Sequence, residues 1–112
     1  MKPIVVWVFL LRVAAAAPAV TKVEPPDWAV EPHGIRLRML LTGSGLAGAT
    51  VRCAFRTGTP VASAGGTHLF FDLTIPAAAR PGRYPLQIST GEGAVEAPFA
   101  LVPALDPAGR FQ

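Results

Sequence analysis

The sequence has a single cysteine in 112 residues, Cys53, so the chain holds no internal disulfide and its fold must stand on a hydrophobic core. Cys53 alternates with Val51 and Phe55, which reads as a small buried apolar side chain before it reads as a reactive thiol. The two histidines, His33 and His68, have no Cys or His at ligand spacing, so neither a metal site nor a cofactor is expected. Lysine is nearly absent: beyond residue 20 only Lys22 remains, and the arginines are scattered, which excludes nucleic acid as a partner. No stretch carries the periodicity of an amphipathic helix. No apolar run reaches the roughly 20 residues that a membrane-spanning helix needs.

What is present is apolar and short-ranged. A hydrophobic fraction of 51% against 15% charged residues argues for a folded domain, and the length allows one only. Much of the apolar surplus lies at the start. Lys2, the unbroken run Ile4 to Leu11 and the small residues Ala14 to Ala17 have the layout of a signal peptide. Arg12 interrupts the run and Pro18 follows, so no stable membrane anchor is expected and cleavage is placed near Ala16 or Ala17. No cysteine stands there for lipid attachment. The division read from this pattern is residues 1–17 as signal peptide, 18–103 as one domain and 104–112 as the start of a linker. Removing Lys2 and Arg12 from the ten basic residues leaves eight against seven acidic ones, so the formal +3 falls to +1 and the basic pI belongs mostly to the leader. The destination is the periplasm or the exterior.

From Pro18 onward the pattern is period-two alternation broken by Gly and Pro clusters, the signature of a β-sandwich. Ala19 to Val23 reads as a first strand closed by Pro25 and Pro26, neither of which can donate a ladder hydrogen bond. Ile35, Leu37, Met39 and Leu41 share one face, with Arg36 and Arg38 on the other. Gly43, Gly45 and Gly48 loosen the backbone around Leu46, whose side chain is expected to plug an end of the sandwich. Thr50 to Phe55, a short Val61 to Ser63 and Leu69 to Ile75 follow. Arg80-Pro81-Gly82-Arg83 forms a corner, after which Tyr84, Leu86 and Ile88 share a face, with Tyr84 expected to fill the sandwich and bond back through its hydroxyl. Gly91-Glu92-Gly93 closes a hairpin, and Val95, Ala97, Phe99 and Leu101 form the last inward stripe. The count is about seven strands, all-β.

Val23-Glu24-Pro25-Pro26-Asp27-Trp28 resembles the opening of the amino-terminal domain of cyclomaltodextrinase and neopullulanase-type enzymes of the α-amylase superfamily. The strand Arg36 to Leu41, the loop Gly43 to Ala49, Phe71-Asp72-Leu73 and Arg80-Pro81-Gly82 running into Tyr84 extend the resemblance over nearly all of the chain beyond the leader. The glycine loop and the Pro-Gly-x-Tyr corner also look like those of IPT/TIG-type immunoglobulin domains. Leu105 to Gln112 is similar to the linker that, in these enzymes, enters the catalytic barrel. The resemblance implies an immunoglobulin-like sandwich of the E-set type, non-catalytic in itself. The carboxylate pair that cleaves α-glucosidic bonds belongs to the separate barrel.

The function this implies is that of an accessory domain of a secreted α-glucan-degrading glycoside hydrolase. Its partners would be the catalytic domain of the same parent chain, a second copy in a homodimer, and maltooligosaccharide or cyclodextrin. Asp72, Glu92 and Glu96 alternate with core residues or lie on a hairpin, as solvated charges do, so no catalytic residue is expected. Family members often carry two adjacent tryptophans after the proline pair, whereas Trp28 is followed by Ala29. A lone Trp28 near a strand end weighs as a core lid or interdomain contact ahead of a sugar platform. Phe70, outward on its strand, is a second candidate contact. The candidate carbohydrate or interdomain surface is therefore Pro25, Pro26, Trp28 and Phe70. Two alternatives stand beside the accessory-domain reading: an α-glucan-binding module using Trp28, and a free-standing secreted domain that binds protein through an edge strand.

Overall fold

Leucine, methionine and phenylalanine recur at every second position from Leu37 to Leu41 and from Leu69 to Ile75, and a computed structural model, which describes residues 16–104, pairs these two stretches antiparallel in register. The signal peptide expected over 1–17 and the linker expected over 104–112 fall almost wholly outside the described residues.

In chain order the strands are β1 (Ala19–Glu24), β2 (Asp27–Ala29), β3 (Ile35–Ser44), β4 (Thr50–Arg52), β5 (Arg56–Thr57), β6 (Val61–Ala62), β7 (His68–Ile75), β8 (Gly82–Arg83), β9 (Leu86–Thr90), β10 (Gly93–Ala97) and β11 (Ala100–Val102). One sheet has the order β1-β3-β7-β5, with β6 also on β7, so that β5 and β6 are two short pieces of one edge. The facing sheet has the order β10-β9-β4, and β2-β11-β8 forms a third group. β8 and β9 are successive parts of one strand, as are β10 and β11, interrupted at Pro85 and at Pro98, which cannot donate to a ladder. Merged in this way, the eleven segments give eight strands: seven in an A-B-E-D sheet over a G-F-C sheet, and the short β2 beside the last of them. That is the strand order of a constant-type immunoglobulin-like sandwich.

The core is what the alternation specifies. Leu37 lies opposite Leu73, Met39 opposite Phe71 and Leu41 opposite Leu69, all buried, and Val51, Leu86, Ile88, Ala97, Phe99 and Leu101 cover them from the facing sheet. Leu46 is wholly buried at the end of the sandwich, where its N–H donates to the Gly66 carbonyl. No buried side chain among the described residues is polar or charged. Antibody domains brace this region with a disulfide whose second cysteine follows the corner tyrosine by two residues. Leu86, with no exposed surface, stands at that place here, so packing replaces the covalent link.

The corner tyrosine itself is Tyr84. Its hydroxyl donates to the Arg80 carbonyl at 2.6 Å, its N–H donates to the Phe99 carbonyl at 2.8 Å, and its ring lies 4.4 Å from that of Phe55. Tyr84→Phe removes one hydrogen bond and keeps the ring, so a loss of about 0.5–1.5 kcal/mol is expected, read as a lower urea midpoint at unchanged m. An unchanged midpoint would mean that water serves Arg80 equally well.

Three departures from the sequence reading have local causes. The strand expected over Thr50 to Phe55 stops at Arg52, because the chain turns and the Phe55 N–H donates to Cys53 Sγ at 3.3 Å. After the two prolines the chain does not simply leave the sandwich: β2 runs parallel to β11, Trp28 beside Leu101. The corner at Gly82-Arg83 is itself a strand segment, paired with Ala100 and Leu101. The Gly91-Glu92 hairpin is as expected, with Thr90 opposite Gly93 and Gly93 at φ 148°, a conformation open to glycine.

Candidate functional site

The alternation that turns Leu69 and Phe71 inward turns Phe70 outward, and Phe70 keeps 41% of its surface exposed. Register then decides its neighbours. On one side Leu40 of β3 lies opposite, and on the other Val61 of the edge piece β6, itself 62% exposed. These three make an apolar row across the outer face of the A-B-E-D sheet. The next row holds Arg38 opposite Asp72, with Arg38 Nε–H donating to Asp72 Oδ1 at 3.2 Å. Between the rows an open groove of about 320 Å³ is lined by Arg38, Thr59, Val61, Phe70 and Asp72.

Trp28 belongs to a different part of the surface. It is half-buried on β2, packed against the core, and its indole N–H donates to Glu31 Oε2 at 3.2 Å. A ring held in this way covers the core. Pro25 is half-buried, while Pro26 is exposed and lines a second, larger groove of about 630 Å³ with Arg83, Pro85, Glu96 and Pro98. The two grooves have no residue in common, and Trp28 lines neither. The four candidate residues therefore do not share one surface: Pro26 lies with Pro85 and Pro98 on one, Phe70 with Val61 on another, and Pro25 and Trp28 line neither groove.

The carboxylates take no part in a converging pair. Asp72 is on β7 against Arg38, Glu96 is exposed on β10 in the facing sheet, and Glu92 is in the hairpin turn. Among the described residues no group of three or more His, Cys, Asp or Glu is arranged to hold a metal ion. Arg36, Val61 and Arg56 are the surface residues that sequence reasoning passed over. The place of Val61 beside Phe70, and of Arg36 and Arg56 on either side of Thr74, depends on which strands lie next to β7, information that no local pattern carries.

Cys53 is half-buried at the end of β4, against the core. Burial pushes its thiol above the ordinary range, and the hydrogen bond with Phe55 only partly counters this. In the unfolded chain the thiol ionises near pH 8.5, so between that value and the higher folded value the unfolded state holds fewer protons. Stability is therefore expected to fall as pH rises through this window and to be unaffected by the thiol below it. Urea midpoints from pH 7 to 10 should decline more steeply for the native chain than for Cys53→Ala. Parallel profiles would show that the thiol is solvated.

No protein-family model and no curated protein matches the chain. Among solved structures it is similar to titin M4 in its trigonal form, at 14% sequence identity and a TM-score of 0.48, over 80% of this chain and 97% of that one. The assignment to the immunoglobulin-like sandwiches rests on the chain's own strand order, seven strands with A-B-E-D facing G-F-C.

Proposed function

We propose that this chain is a non-catalytic interaction module, the amino-terminal accessory domain of an exported cyclomaltodextrinase-like α-glucan hydrolase. In this reading the sandwich packs on the catalytic barrel of its own parent chain or on a second copy, and holds other parts in position. The observation that carries the interaction role is the apolar row of half-buried Leu40 with exposed Phe70 and Val61 on an otherwise polar sheet face. Exposed aromatic surface of this kind costs hydration free energy unless a partner covers it. The link to a glucan hydrolase is supported by the resemblance of Val23 to Trp28, of the Gly43 to Ala49 loop and of the Leu105 to Gln112 segment. Export to the periplasm or beyond is supported by the leader pattern over 1–17.

The α-glucan-binding alternative loses ground, because Trp28 packs on the core and its indole N–H is engaged by Glu31. Maltooligosaccharide titration should leave Trp28 fluorescence unchanged.

Mixing the chain with the barrel of a cyclomaltodextrinase-type parent tests the proposal. Association is expected, and Phe70→Ala should weaken it by roughly tenfold or more, as loss of an aromatic anchor does. No association at high micromolar concentration would overturn the interaction role. In-frame coding sequence for a barrel of about 250 residues after Gln112 is the expected genomic context. A stop codon there would remove the hydrolase link and leave the free-standing protein-binding domain.

A further inference from the structure

We propose that the outer face of the A-B-E-D sheet docks a protein surface with an apolar centre and carboxylates along one side. This rests on the interaction-module reading and adds the chemistry of the partner. The register fixes the layout. Leu40, Phe70 and Val61 form the apolar row, Arg38 and Asp72 the next, and Arg36, Thr74 and Arg56 the one beyond. Rows on one face are about 7 Å apart and adjacent strands about 4.8 Å, so the patch covers about 14 Å by 10 Å.

Charge on this face is segregated. The described residues carry seven Lys and Arg and six Asp and Glu, close to balance, yet three of those cations stand at one end of the patch with one anion. Arg38 is engaged by Asp72 at 3.2 Å, whereas neither Arg36 nor Arg56 has a carboxylate of the described residues within ion-pair distance. All three arginines are exposed. At the β1 end of the apolar row itself, Glu24 lies opposite Leu40 and is matched by Lys22 at 3.2 Å. The uncompensated positive charge therefore lies on one flank of the apolar row. An apolar centre gives binding area, while like charge next to it disfavours association of this face with itself and favours an acidic rim.

The test uses the full 112-residue chain, labelled with nitrogen-15, and a random copolymer of glutamate and tyrosine as probe. At low salt the amide signals of residues 36–40, 56, 61 and 70–74 should shift together, and the shifts should fade as salt screens the arginines. The double variant R36E/R56E should weaken the interaction by roughly tenfold, as should Phe70→Ala, whereas R80E/R83E at the corner before β9, outside the patch, should not. Both sets of arginines are exposed, so folding is preserved in each. Shifts spread evenly over every arginine, or centred on Arg80 and Arg83, would overturn the proposal. So would shifts at Phe70 and Asp72 with maltoheptaose, which would make the groove a sugar site, or with anionic vesicles, which would make it a membrane surface. If the barrel binds through Phe70 while R36E/R56E leaves that binding unchanged, the acidic rim is wrong and the interaction module stands. If the barrel and the copolymer both fail to bind, both readings fall.

Discussion

Phe99→Ala is expected to cost about 3–5 kcal/mol, a large share of the roughly 5–15 kcal/mol that holds a small domain folded. The ring is 2% exposed and is the largest of the fully buried side chains. Truncating it removes no hydrogen bond, because Phe99 bonds to Tyr84 through its backbone carbonyl. The whole loss is therefore transfer free energy plus the cavity that the surrounding strands cannot close. Collapse is restricted on both sides. Pro98 and the β11 pairing fix the backbone of Phe99, and Leu86 and Leu101 are already packed in the same cluster. For a domain of this size the melting temperature should drop by more than about 10 °C, with a matching fall in the urea midpoint. A loss below about 1 kcal/mol would show that the side chain does not close the core between the last two strands.

The same residue shows how far the sequence is readable. Phe99 belongs to a stripe with Val95, Ala97 and Leu101, and the period of two alone assigns it to the inner face although Pro98 interrupts the ladder. Ile35 to Leu41, Leu69 to Ile75 and Tyr84 to Ile88 are legible for the same reason, and so is the outward direction of Phe70. β2 was not legible. Asp27, Trp28 and Ala29 show no alternation of their own, and what makes them a strand is β11, more than seventy positions later. β5 and β6, two residues each, likewise exist because β7 offers them partners. Legibility of the candidate surface divides along the same line. Parity along one strand points to Phe70, but the row through Val61 and the arginine row beyond it arise from register between strands. The four residues chosen from sequence accordingly do not share one surface, because proximity in the chain between Pro25 and Trp28 says nothing about their distance from β7.

Gly43→Ala should be the more localised of the two large losses. Gly43 lies opposite Val20 beside the bulge in β1, and a Cβ built on it would fall 1.8 Å from the Ala19 carbonyl oxygen and 2.9 Å from Val20 Cα. These are backbone atoms, with no flexible side chain to swing away. The glycine is therefore required by the close approach of two strands. The chain can relieve the contact only by lifting β1 from this end of β3, at a cost of about 1–3 kcal/mol or more. β1 is an edge, held by β3 alone in its sheet, so the rest of the sandwich need not follow. Hydrogen exchange should become fast at the β1 amides while the β3 and β7 amides keep their order of protection. Gly65→Ala is the control: nothing lies within 4 Å of its Cβ position, so no comparable loss is expected. If Gly43→Ala proves as stable as the native chain, β1 does not run against β3 at this register, and the A-B pairing with which the sandwich begins would have to be redrawn.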